Sequence, residues 1–146
     1  MKLLIGASSS KIFHLKEFAQ NLEKNNIECK VVLDSDYADG FPSRKIGNWF
    51  KSNSKFTELI NDFKPDAVFV DRQRHFGLEA LKNEIPLFVH LRGNYWEEMK
   101  MARKTLYSSP PKKLAINKWD DIASQVFQGS KIILPICKHL ENVVKN

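Results

Sequence analysis

The side chains best suited to chemistry lie in residues 71–77, "DRQRHFG", directly after an apolar run. Asp71, Arg72, Arg74 and His75 place two guanidinium groups beside a carboxylate and an imidazole. Guanidinium groups bind phosphate and other oxyanions through paired hydrogen bonds, so this cluster suits a phosphate or sugar hydroxyls. We predict that these four residues bind substrate. The alternative is a surface ion pair in which Asp71 neutralises Arg72 or Arg74.

A second polar group follows the apolar run "PLFVHL". It consists of His90, Arg92, Gly93 and Asn94. Gly93 permits close approach of the backbone to a ligand, and Arg92 faces the mouth of a cleft if the strand ends at Leu91. We predict a substrate contact for each, with a core histidine bonded to backbone as the alternative for His90.

Three serines, Ser8, Ser9 and Ser10, follow the first apolar run. Their hydroxyls and backbone N–H groups suit an anion at the start of a helix, whereas the alternative is that Ser9 or Ser10 caps that helix. The next glycine after Gly6 is Gly40, so the dinucleotide-binding pattern G-x-G-x-x-G is absent. We therefore expect no NAD-type cofactor, and no residues at metal-ligand spacing indicate a metal site.

Two segments mix large apolar side chains with cations. Trp49 and Phe50 lie in one, and Trp96 and Met99 lie in the other. Their basic neighbours are Arg44, Lys45, Lys51, Lys100, Arg103 and Lys104. Such segments can dock on an anionic membrane surface, and ordinary helix packing with a solvated cationic face is the alternative.

An alternation of strands and helices must position these groups. Continuous apolar runs predict strands at residues 2–6, 27–33, 66–71, 86–93 and 131–136. Helical patterns occupy residues 11–26, 49–64, 76–84, 94–109, 114–129 and the segment from 137, with 34–48 as a loop. Ser54 is the predicted N-cap of the second helix, Leu114 is predicted to face inward, and Gly129 is predicted as a C-cap. Such alternation predicts one Rossmann-like domain over residues 1–146, a three-layer α/β/α fold with a mostly parallel sheet and ligands at the carboxyl ends of its strands.

Composition limits the remaining classes. The chain has 146 residues, two cysteines and a net charge of +6. This length is about one domain, and two cysteines in apolar runs are typical of core residues in a reducing compartment. The apolar run after Lys2 is too short for a signal peptide, and no run reaches the roughly 18 residues of a membrane span. We expect a cytoplasmic protein, free or at a membrane surface.

Several segments, in sequence order, resemble the N-terminal domain of GT-B fold glycosyltransferases of the family-4 (group 1) type. The matching segments are "KLLIG", "FAQNLEKNNIECKVVL", "KPDAVFVD", "EIPLFVHLRG" and "GSKIILPICKHLENVVK". The resemblance covers nearly the whole chain. Three positions depart from the family pattern: "ASSSK" replaces a Gly-Gly loop, Arg92 replaces the histidine before Gly93, and Cys137 replaces a serine.

The resemblance implies transfer of a sugar from a nucleotide-sugar donor to a sugar or lipid-linked acceptor. In that family a second domain binds the donor, so the chain is expected to supply the acceptor side and to be inactive alone. Arg92 would lie near the reaction centre and act as the catalytic residue. A flavodoxin-like or response-regulator-like binding module is the main alternative, although "ASSS" offers no acids for Mg²⁺. Nucleic-acid binding would depend on net charge alone, and we do not expect it.

Overall fold

The computed structural model describes residues 1–43, 45–50 and 52–145. Its strands are β1 (Lys2–Ala7), β2 (Glu28–Leu33), β3 (Ala67–Val70), β4 (Leu87–Leu91) and β5 (Ile132–Pro135). Its helices are α1 (Ile12–Glu23), α2 (Asp34–Tyr37), α3 (Ser54–Phe63), α4 (His75–Lys82), α5 (Tyr95–Thr105), α6 (Pro110–Gly129) and α7 (Lys138–Lys145). A 3₁₀ turn spans Ile46–Asn48.

The five strands form one sheet in the order β2-β1-β3-β4-β5, and every neighbouring pair is parallel. This order is a common one for doubly wound α/β sheets. The predicted Rossmann-like α/β fold is therefore confirmed, and the described sheet is wholly rather than mostly parallel.

Helices cover both faces of the sheet. On one face, α3, α4 and α6 contribute Phe56, Phe76 and Ile122 to a core that includes Leu4 and Val68 of the sheet. On the other face, α1 packs against β1 and β3, with its buried residues Leu15 and Ala19 meeting Leu3, Ile5 and Phe69. Because successive strand residues point to opposite faces, the continuous apolar runs of β1 and β3 supply both layers.

Four local predictions were wrong. The expected loop at 34–48 contains α2 and the 3₁₀ turn. Helix α3 begins at Ser54, but Asn53 rather than Ser54 occupies its N-cap. Leu114 is 63% exposed. Gly129 is the last residue of α6, and Ser130 is its C-cap.

Candidate functional site

The predicted polar loops meet at the carboxyl edge of the sheet, next to the point where strand order reverses between β1 and β3. The connection after β1 leads to α1 on one face, and the connection after β3 leads to α4 on the other. Loops that leave toward opposite faces open a crevice between them, which is where open α/β sheets bind ligands.

Asp71 joins the loops that follow β1, β3 and β4. Its carboxylate accepts hydrogen bonds from the Ser8 backbone N–H (3.0 Å) and hydroxyl (2.7 Å), and from Arg92 Nη2 (3.2 Å). Asp71 is only 4% exposed and Ser8 only 6%. Asp71 therefore pairs with Arg92, so the predicted alternative of a pair with Arg72 or Arg74 is wrong. Ser8 was predicted to bind substrate, but its backbone N–H and its hydroxyl both donate to Asp71 and so connect these loops.

Arg72 pairs instead with Asp34, the first residue of α2. Its Nε and Nη2 atoms donate to the two carboxylate oxygens at 2.5 Å and 2.6 Å. Asp34 is 3% exposed. The sequence prediction missed this partner, although Asp34 directly follows an apolar strand, which is the same signal that identified Asp71.

A first cavity of about 350 Å³ lies beside Arg92. It is lined by Lys11, Asp71, Arg72, Gln73, His90, Leu91, Arg92, Gly93, Tyr95 and Glu98. A Cβ atom built on Gly93 would lie 2.3 Å from Glu98 Oε1, so the carboxylate of Glu98 occupies the space that glycine leaves open. Asn94 caps α5, because its side chain accepts a hydrogen bond from the Glu97 N–H.

His90 lines the first cavity with a half-buried ring. Its centroid is 5.9 Å from that of Phe69, and the described residues give the ring no hydrogen bond, so the backbone-bonded alternative was wrong. Burial lowers the pKa of His90, and the positive charge of Arg92 lowers it further. The imidazole is therefore neutral near pH 7 and can accept a proton.

A second cavity of about 540 Å³ lies on the other side of Arg72, which lines both. Its lining residues are Ser9, Asp34, Ser35, Ala38, Asp39, Pro42, Ser43, Lys45, Asn48, Arg72, Arg74, His75, Tyr107 and Trp119. His75 Nε2 lies 3.2 Å from the carbonyl oxygen of Phe41. Tyr107 and Trp119 are distant in sequence from the predicted loops. No local sequence pattern indicated that they line a site.

The three serines have different environments. Ser9 is exposed on the rim of the second cavity, and the exposed Ser10 hydroxyl lies 3.5 Å from that of Ser8. Lys11 is the N-cap of α1, and no side chain of the described residues makes a capping hydrogen bond to this helix. The capping alternative for Ser9 and Ser10 was therefore wrong.

The tryptophans proposed for membrane docking have packing contacts. Trp49 Nε1 donates to the Ser43 carbonyl at 2.8 Å, and its ring meets Phe41 edge-on. Trp96 stacks on Phe127 with centroids 5.3 Å apart. Phe50 is 92% exposed. Arg44 and Lys51, predicted beside these aromatics, lie outside the described residues.

Within residues 1–43, 45–50 and 52–145, no helix has both the length and the apolar character needed to cross a membrane. The same residues contain no group of three His, Cys, Asp or Glu side chains placed to hold a metal ion. Comparison of the sequence with known protein families and with curated proteins finds no match. The geometry of the two cavities is therefore the basis for a functional proposal.

Proposed function

We propose that this chain is the acceptor-side domain of a glycosyltransferase, with the nucleotide-sugar donor held by a second domain. The observation that carries the proposal is the first cavity, where Arg92, His90 and Glu98 surround a space at the carboxyl edge of the sheet. Its volume of about 350 Å³ lies within the usual range for small-molecule sites, roughly 300–1,000 Å³.

Arg92 is held in place but keeps donors for a ligand. Its Nη2 atom bonds to both the carboxylate and the backbone carbonyl of Asp71. Its Nε and Nη1 atoms have no partner among the described residues. A fixed cation with free donors stabilises negative charge that develops on a leaving nucleoside diphosphate.

His90 supplies the second requirement of sugar transfer, a proton acceptor. Transfer forms a bond from an acceptor oxygen to the sugar, breaks the bond to the diphosphate, and releases the acceptor's hydroxyl proton. A neutral imidazole in the first cavity is suited to accept that proton. Glu98 and Gln73 are suited to hold the other hydroxyls of an acceptor sugar.

The test uses the chain joined to the sequence encoded downstream of Asn146, assayed for release of nucleoside diphosphate from a panel of nucleotide sugars. We expect the longer protein, and not residues 1–146 alone, to release it. Arg92→Ala should lower kcat by roughly 10²–10³-fold. Arg103→Ala is the matched control, because Arg103 forms an exposed pair with Asp120. A reading frame that ends at Asn146, or a longer protein inert toward every donor, would contradict the proposal.

A non-enzymatic binding module is the second candidate. The observation that favours it is that several predicted site residues bond to one another, as Ser8, Asp71 and Arg92 do. Polar groups used in this way hold the loops together and are not free for catalysis. This candidate predicts ligand binding with no turnover in any longer protein.

A further inference from the structure

The second cavity contains an arginine, Arg74, that has no counter-ion in the part of the chain that the structure describes. Three arginines follow β3 and β4, and two of them have carboxylate partners: Arg72 binds Asp34, and Arg92 binds Asp71. Arg74 has no ion pair and no side-chain hydrogen bond with any described residue. Its guanidinium carbon lies 4.4 Å from the centroid of the Trp119 ring. Trp119 therefore covers one face of the guanidinium group and leaves its N–H donors unused.

The surroundings of Arg74 disfavour its charge. Burial lowers the pKa of Arg74, and the positive charge of Arg72 lowers it further. A guanidinium group nevertheless stays protonated in proteins. A partly buried cation without a partner lacks compensation for lost hydration, and an anionic ligand would supply it.

The carboxylates that line the second cavity have other partners. Asp34 is bound by Arg72. Asp39 accepts hydrogen bonds from Ser43, Asn48 and the N–H of Gly40. Burial by itself would raise the pKa of Asp39, but these bonds lower it overall, so Asp39 is stable as an anion within its own hydrogen bonds.

The charge of the second cavity also favours an anion. Among the described residues, three cations line it, Lys45, Arg72 and Arg74, against two carboxylates, Asp34 and Asp39. The aromatic wall formed by Tyr107 and Trp119, whose rings meet edge-on at 5.6 Å, adds a flat apolar surface next to Arg74. Aromatic rings beside a cation suit a ligand that joins a charged group to an apolar or sugar-ring face.

We propose that the second cavity binds a phosphate group on Arg74, with the body of the ligand against the wall formed by Tyr107 and Trp119. A phosphate accepts several charge-assisted hydrogen bonds at once, which matches a guanidinium fork with Lys45 on the same lining. The site goes beyond the proposed transfer and does not need it.

The experiment measures binding to residues 1–146 without any donor sugar. The probes are glucose 6-phosphate, inorganic phosphate and neutral glucose, titrated while the indole N–H signal of Trp119 is followed by NMR. Trp119→Phe identifies that signal. Co-sedimentation with phosphatidylglycerol vesicles, against phosphatidylcholine vesicles, tests whether the phosphate belongs to a lipid.

We expect saturable binding of glucose 6-phosphate and none of glucose. Arg74→Gln should raise the dissociation constant roughly tenfold or more, because charge-assisted hydrogen bonds are lost. The matched control Arg103→Gln removes an equal charge from an exposed pair. It should change the dissociation constant by less than about twofold. Arg74→Lys keeps the charge but not the fork, so it should weaken binding by an intermediate factor even if Arg74→Gln unfolds.

A preference for phosphatidylglycerol vesicles that Arg74→Gln abolishes would support the site and assign the phosphate to a lipid headgroup. Three results would overturn the proposal: no saturable binding of any phosphate probe, equal binding by wild type and both Arg74 variants, or equal weakening by Arg103→Gln. Each of these three results can occur whether or not a longer protein transfers sugar. The binding test can therefore overturn the phosphate site without overturning the proposed transfer, and the transfer assay can do the reverse.

Discussion

At the scale of single residues, Asp71 is, with Asp34, one of two almost fully buried carboxylates among the described residues. It accepts hydrogen bonds from Ser8 and Arg92 while being 4% exposed. Removing its charge leaves the guanidinium group of Arg92 without a counter-ion. The loss should be smaller than the roughly 3–5 kcal/mol typical of a fully buried pair, because the Arg92 side chain is 33% exposed.

We therefore predict that Asp71→Asn lowers the free energy of unfolding by about 2–3 kcal/mol, measured by urea denaturation. Asp36→Asn is the matched control, since Asp36 is an exposed aspartate of α2 near the same edge. It should change stability by less than about 0.5 kcal/mol. Equal effects of the two substitutions would mean that the junction at Asp71 does not stabilise the fold.

At the scale of elements, the packing of β1 against α4 depends on Gly6. A Cβ atom built there would lie 2.5 Å from Cδ1 and 2.7 Å from Cε1 of Phe76. Phe76 is 1% exposed, and its ring meets that of the fully buried Phe56 edge-on at 4.9 Å. Because the ring is buried in a close-packed core, a methyl group at Gly6 must displace either the ring or the strand.

We expect Gly6→Ala to destabilise the protein by roughly 1–3 kcal/mol, the usual range for overpacking a core. At this chain length that lowers Tm by about 2–4 °C for each kcal/mol. Gly47→Ala is the control, because a Cβ there meets nothing within 4 Å. A melting temperature unchanged by Gly6→Ala would show that β1 and α4 can separate at little cost.

The sequence allowed prediction of strands better than of helix boundaries. Four of the five strands are mainly apolar, whereas β2 also contains Glu28 and Lys30. Strand-end polarity correctly located Asp71 and Arg92 at one edge. Pro110 and Pro111 lie outside both predicted helices, 94–109 and 114–129, yet they form the first turn of α6. Proline is tolerated there because the first N–H groups of a helix have no intrahelical partner.

The partners within the site could not be predicted, because they depend on distances that sequence spacing does not contain. Asp34 and Arg72 are 38 residues apart, and Trp119 reaches Arg74 from the middle of α6. A local pattern identifies a polar strand end, but it does not specify which carboxylate neutralises which arginine. This is why the unpaired state of Arg74 emerged only from the folded structure.

At the scale of the whole molecule, two sets of bonds connect the loops after four of the five strands. Asp34 and Arg72 join the ends of β2 and β3, and Asp71 joins the ends of β1, β3 and β4. One half-buried histidine lies beside each cavity, His75 at the second and His90 at the first. The stability of the whole fold should therefore depend on whether these histidines are protonated.

Burial is the main cause that lowers the pKa of both histidines below the usual value of about 6.5. At His75 the charge of Arg74 lowers it further, while the Phe41 carbonyl, Asp39 and Glu79 act in the opposite direction. At His90 the charge of Arg92 lowers it and that of Asp71 opposes. Above pH 7 the folded and unfolded states are both neutral at these positions. As the pH falls through about 6.5, the unfolded chain binds protons before the folded one does.

We therefore predict that the free energy of unfolding decreases as the pH is lowered from 7.5 toward 5, by at most about 1.4 kcal/mol per pH unit for each histidine. His75→Gln should reduce this slope, and the double variant His75→Gln, His90→Gln should reduce it further, because glutamine does not titrate. Urea denaturation at several pH values measures the slopes independently of any loss of absolute stability. A double variant with the wild-type slope would mean that folding does not lower the pKa of either histidine.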